Sequence, residues 1–215
     1  MDQSDVSGQE IVEPGFPNKM GRILLTAFDE VMGRNSLNSL LTAARVSHYA
    51  QELPPNNFEK EFPFAHLSQM VQALEELYGV RSGRGIARKV GRACFRLGIG
   101  DFGPVLWMVD LAFRVLTLRM KMRIGFEILA ETFNRFTDQK VIVEVDKEHF
   151  RWIMEPCAEC WGRTCSTACC QLAMGLLEEG LYWASGGSSF YMEEVSCIAC
   201  GDRICAISIG RDPLE

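Results

Sequence analysis

The sequence predicts an α+β fold. A helical N-terminal two-thirds packs on a small antiparallel sheet, with the order strand-strand-helix-strand-strand at the C-terminal end. Three observations carry this expectation. Apolar residues recur at three- and four-residue spacing from about residue 19 to residue 136, the period of a helix with one buried face. After Asp138 short β-rich runs flank one helical stretch. With 215 residues, 47% of them hydrophobic and 23% charged, the chain is long enough to close one core without staples.

Residues 1–18 are polar and hold Gly8, Pro14, Gly15 and Pro17 without periodicity, so they read as a mobile tail before a single domain over 19–215. A first helix carries Ile23, Leu24, Ala27, Phe28 and Val31 and ends at Gly33. Asn35 or Ser36 is placed to cap a second helix that runs toward Tyr49, and Pro54-Pro55-Asn56-Asn57 is a loop. Helical spacing returns over Phe64–Leu77, stops at Gly79, and restarts after Ser82-Gly83 until Gly98 and Gly100 break it. Val105–Phe136 reads as two further helices rich in Met and Phe, including Trp107, Met108, Phe113, Met120 and Met122. Residues 141–145 and 150–154 read as strands around a turn. A helix over 168–184 and strands over 190–195 and 204–209 complete the order.

The net charge of −6 argues against a general nucleic-acid binder. It hides an asymmetry. Residues 80–123 carry ten Arg and Lys against two acids, and residues 144–215 carry twelve acids against five bases. Such segments form solvated faces of opposite sign, or complementary faces of a homodimer. The acidic N-terminus lacks a basic region followed by an apolar run, and no segment is long and apolar enough to span a bilayer. A cytoplasmic protein is the expectation, and a reducing compartment makes its nine cysteines metal ligands before disulfides.

Eight of these lie between 157 and 205. Cys157-x2-Cys160-x4-Cys165 and Cys197-x2-Cys200-x4-Cys205 repeat one spacing, with Cys169 and Cys170 between them. Bunched thiolates ask for a soft or borderline cation, which means zinc or an iron–sulfur cluster. Cys94, inside a helical apolar stripe, reads as a small buried hydrophobe.

The run Cys170-Gln171-Leu172-Ala173-Met174-Gly175, followed by Glu194-Val195-Ser196-Cys197-Ile198-Ala199-Cys200-Gly201-Asp202-Arg203-Ile204-Cys205, resembles the 4-vinyl-reductase domain family. Glu155-Pro156-Cys157-Ala158-Glu159-Cys160 is similar to the stretch that precedes the helix in that family, and the likeness extends loosely over residues 18–210. The resemblance implies an α+β domain related to TRAPP vesicle-tethering subunits, often dimeric, with members that sense phenols or serve bacteriochlorophyll synthesis. It also implies a structural zinc held by Cys170, Glu194, Cys197 and Cys205. Cys157, Cys160, Cys165, Cys169 and Cys200 then remain as a second metal or cluster site, with Cys169 an alternative ligand to Cys170.

Catalytic motifs are missing. Gly83-Arg84-Gly85 lacks the third glycine and the preceding strand of a dinucleotide fingerprint, and His48, His66 and His149 are isolated. No catalytic residue is assigned. The leading expectation is a metal-stabilised sensor or carrier domain whose Met- and Phe-rich helices over 64–136 enclose a cavity for a hydrophobic or aromatic small molecule. The alternatives are an iron–sulfur redox or electron-transfer protein and a carrier in (bacterio)chlorophyll synthesis.

Overall fold

A computed structural model of the chain describes residues 13–101 and 116–214. Helices occupy the N-terminal part: α1 (Asn18–Met32), α2 (Arg34–Ala43), α3 (Phe64–Tyr78), α4 (Val80–Asp101) and α5 (Leu118–Phe136). Two short strands, β1 (Gly15–Phe16) and β2 (Phe62–Pro63), pair on this side of the molecule. Strands β3 (Lys140–Val145) and β4 (His149–Glu155) follow. Then come helix α6 (Gln171–Ser185) and strands β5 (Phe190–Ser196) and β6 (Cys205–Pro213). The expected α+β class and the strand-strand-helix-strand-strand order are both present. The larger sheet is antiparallel, in the order β3-β4-β6-β5.

Several boundaries differ from the sequence reading, each for a local reason. The fold reaches back to Gly15, whose N–H donates to Asp138 Oδ2 at 3.0 Å, so part of the expected tail is built in. Residues 1–12 lie outside the described residues. α2 starts directly after Gly33, which turns the chain at φ +77°, and neither Asn35 nor Ser36 is its cap. α3 gives way to α4 at Gly79 (φ +80°) instead of at Ser82-Gly83. Gly83 is inside α4 because its missing side chain lets the helix back onto α3. A Cβ there would lie 2.6 Å from the Leu74 backbone. α4 also runs through Gly98 and Gly100. The first helix expected from Val105, with Trp107, Met108 and Phe113, falls outside the described residues.

α4 and α6 cross at a pair of glycines. A Cβ on Gly91 would meet the backbone of Leu172 and Leu176 within 2.9 Å, and one on Gly175 would sit 3.0 Å or less from the Arg88 backbone. The two helices therefore touch main chain to main chain. Their flanks are joined by charge: Arg88 pairs with Glu178, Arg92 lies 3.6 Å from Glu178 and 3.5 Å from Glu179, and Arg96 reaches Glu179 at 3.3 Å and Glu30 at 3.0 Å. The charge asymmetry of the sequence is thus largely satisfied within the chain, which removes it as an argument for self-association.

Two apolar clusters form. One joins α1 to α4 through Leu25, Phe28, Leu40, Phe62, Phe64 and Met70. The other lies between α5, α6 and the sheet and holds Phe126, Phe150, Trp152, Met154, Ile207 and Ile209. Phe133 and Leu176 are packed against both. Among the described residues no helix is long and apolar enough to cross a membrane.

Candidate functional site

Between the two clusters lies a cavity of about 730 Å³. α1 contributes Met20 and Ile23, α4 contributes Cys94, Phe95 and Ile99, and α5 presents residues from Ile124 to Phe136. α6 closes the wall with Leu172, Leu176, Leu177 and Trp183. The segment 64–136 of the expected cavity thus supplies more than half of the described wall, and α1 and α6 supply most of the rest. Of the residues that motivated it, Phe126, Phe133 and Phe136 line the space, whereas Met122 is buried in the sheet-side core and Met120 is 49% exposed. The polar lining is confined to α5, where Glu127, Glu131, Thr132 and Arg135 occur.

Cys94 on this wall is buried, and burial pushes its thiol up to about 12, so it is neutral at ordinary pH. It is expected to stay unalkylated by iodoacetamide at pH 8 in the folded protein and to react on denaturation. Peptide mass spectrometry checks this.

The second feature is sulfur. Turns at Ala158–Cys160 and Ile198–Cys200, the entry to α6 at Cys170 and the first residue of β6 converge at one end of the sheet. Six thiols meet there. Cys160 Sγ lies 3.4 Å from Cys170 Sγ, 3.4 Å from Cys205, 3.6 Å from Cys197 and 3.9 Å from Cys169. Cys157 lies 3.5 Å from Cys170. All six residues are buried, and none is in a disulfide. The quartet Cys170, Glu194, Cys197 and Cys205 has its ligand atoms within 4.8 Å of one another, as do Cys157, Cys160, Cys170 and Cys205, and the trio Cys160, Cys169 and Cys197. The four residues drawn from the motif are thus brought together. Of the five remaining cysteines Cys157, Cys160 and Cys169 join them, while Cys165 and Cys200 belong to none of these sets.

Glu194 Oε2 accepts the Cys170 N–H at 2.8 Å, while its Oε1 is buried with no hydrogen-bond partner. Burial pushes this carboxyl up to about 7. Among the thiols Cys197 is held low by the hydrogen bond from Cys160 and those from other neighbouring thiols, and Cys170 is held high by Cys157 and its other neighbours.

The sequence carries no signal for Glu159. It is buried, and its carboxylate accepts the N–H groups of Leu172 at 2.9 Å and Ala173 at 2.7 Å, satisfying the first turn of α6. Arg163 beside it bonds the Glu159 carbonyl at 3.1 Å and Glu75 at 3.0 Å. Neither residue stands out locally, because each acts on an element far away in the chain. The histidines form no site: His66 Nδ1 is 2.8 Å from the Tyr49 hydroxyl, and His149 sits beside the β3–β4 turn.

The arrangement defines the class first, as an α+β domain with a half-open apolar cavity between its helices. No protein-family model matches the sequence, and no curated protein matches it. Solved structures share the fold. An Fe(II) unliganded H-NOX protein from K. algicida aligns with a TM-score of 0.58 at 12% identity, over 93% of this chain and 98% of the other. An H-NOX protein from S. oneidensis in the Fe(II)NO ligation state gives 0.56 at 12% identity, over 93% and 99%. A structure from work on heme distortion in the H-NOX family gives 0.54 at 12% identity, over 93% and 97%.

These neighbours correct the family expectation. The fold is that of H-NOX domains, and the resemblance to the 4-vinyl-reductase domain, specific in its C-terminal cysteine motif but loose over the N-terminal half, does not fix the helical arrangement. The expected zinc, the iron–sulfur alternative and the hydrocarbon-binding keyword fall with it. Close-packed thiols alone do not specify either cofactor, and the neighbours are heme-family proteins.

The residues of this chain do not fit a heme bound through histidine. There are three histidines, and none is among the described lining residues of the cavity. The sulfur groups of that lining are Met20 and the neutral thiol of Cys94. The charged residues of the described lining are Glu127, Glu131 and Arg135. Among the described residues the lining is mostly apolar, with Arg135 its one basic side chain.

Proposed function

We propose that the protein is a sensor or carrier domain that binds a hydrophobic small molecule in the cavity between α1, α4, α5 and α6. The observation that carries this reading is the cavity itself. About 730 Å³ of mostly apolar space is within the range of small-molecule sites. The shared fold with H-NOX domains supports a small-molecule role, and none of the described lining residues is a histidine. The reading includes a reduced, cytoplasmic setting, consistent with nine free thiols. It also includes a homodimer, for which the exposed apolar corner Leu77, Tyr78 and Val80 offers a surface and light scattering is the test.

Within this reading Cys170, Glu194, Cys197 and Cys205 hold one soft cation that pins the start of α6 to β5 and β6. The unpartnered Glu194 Oε1 supports it.

The ligand test is a melting series with aromatics, fatty acids and hemin. At a hundred times its Kd, a ligand adds about 2.7 kcal/mol, which raises Tm by roughly 5–11 °C for a domain of this size. Leu176→Trp, which fills the cavity from α6, is expected to abolish that rise while leaving the unliganded protein folded. Hemin is expected to give no histidine-ligated spectrum. A flat response across the panel would leave a plain core.

A further inference from the structure

We infer that the thiol cluster is a two-cation site, in which a second soft cation is held by Cys157, Cys160, Cys170 and Cys205 and shares the sulfurs of Cys170 and Cys205 with the first. This rests on the single-cation reading of Cys170, Glu194, Cys197 and Cys205 and extends it.

Geometry argues for the second position. In a tetrahedral site with metal–sulfur bonds of about 2.3 Å, ligand sulfurs stand about 3.8 Å apart. The thiols of the second quartet already approach this: Cys157–Cys170 is 3.5 Å, Cys160–Cys170 3.4 Å, Cys160–Cys205 3.4 Å and Cys170–Cys205 3.6 Å. A small outward movement of each sulfur opens the centre. Cys170 and Cys205 belong to both quartets, and a thiolate has lone pairs enough to bridge two cations.

Ligation requires deprotonated thiols, so taking up the second cation releases the protons of Cys157 and Cys160. All-sulfur ligation of the second position selects soft, thiophilic ions over Mg²⁺ or Ca²⁺.

The backbone is consistent with a built site. The Ile198 N–H points at Cys205 Sγ at 3.2 Å, and the Asp202 carboxylate accepts the Cys197 N–H at 2.7 Å, fixing the turn that carries both sulfurs. Cys157 and Cys160 come from a separate turn, held by the Ala158 N–H to Gln139 Oε1 bond at 3.0 Å. The second quartet thus joins the turn before α6 to β6.

Cadmium is the probe. The full chain, reduced and kept anaerobic, is titrated with Cd²⁺, counted by native mass spectrometry and examined by ¹¹³Cd NMR. Two ions per chain are expected, with two resonances split by each other through the shared sulfurs. Cys157→Ala, which belongs only to the second quartet, should lower the count to one and remove the splitting, while Cys169→Ala should leave two. Cys160→Ala is the independent repeat if Cys157→Ala does not fold. A count of one in the parent chain, unchanged by Cys157→Ala and lost in Glu194→Gln, would overturn the second site and leave the first. Two ions of which Cys169→Ala removes one would also overturn this quartet. No bound cadmium would overturn both readings.

Discussion

Gly175→Val is expected to cause the largest loss of stability of any single change in the α4–α6 interface. The new side chain would be driven into the Arg88 backbone, where even a Cβ has no room. A flexible side chain can swing aside, but a helix backbone cannot move without separating α4 from α6 and opening both the salt-bridge flank and the cavity wall. Overpacking ordinarily costs about 1–3 kcal/mol. A main-chain clash belongs to the upper tail, about 4 kcal/mol or more, a Tm drop of roughly 8–16 °C. Gly85→Ala is the control. It lies in the same helix as Arg88, a Cβ there meets nothing within 4 Å, and it should stabilise by about 0.5–1 kcal/mol through helix propensity. Thermal melts of the two variants check the contrast, and equal effects would mean that α4 and α6 cross more loosely than main chain on main chain.

Cys205→Ser is expected to have the second largest effect. Cys205 begins β6, is fully buried and belongs to both proposed quartets. Serine keeps the shape but is a poor ligand for a soft ion, so cadmium uptake should collapse. The binding energy of such a site is folding energy, and its loss should appear in the C-terminal half. In cadmium-loaded protein, hydrogen exchange over β5 and β6 should speed up strongly, while α1 to α3 change little. The same comparison without metal should show a much smaller difference, since a buried hydroxyl then merely replaces a thiol. Unchanged cadmium content in the variant would sink the assignment of Cys205.

Elements whose cause is local were legible in the sequence. The helix stripe of α1 (Leu24, Ala27, Phe28), the stop at Gly33, the strands around Asp146 and the order of the C-terminal elements follow from periodicity and turn chemistry. Spacing made the bunched cysteines legible as a metal-type cluster; the quartet Cys170, Glu194, Cys197 and Cys205 came only from the family resemblance, and the structure brings those ligand atoms together.

What only the tertiary structure decided depends on contacts between distant segments. Gly91 and Gly175 look like helix weaknesses until α4 and α6 are seen to cross on them. Gly83 looks like a turn until α3 is behind it. The basic residues of α4 look available until Glu178, Glu179 and Glu30 are found beside them. Glu159 serves a helix that begins twelve residues later, and the cavity draws about a third of its wall from α1 and α6. The cysteine pattern named the wrong family for the same reason. A turn's spacing constrains the few residues that close it, whereas the fold is set by how apolar faces and small residues let the helices approach, and that is written across the whole chain.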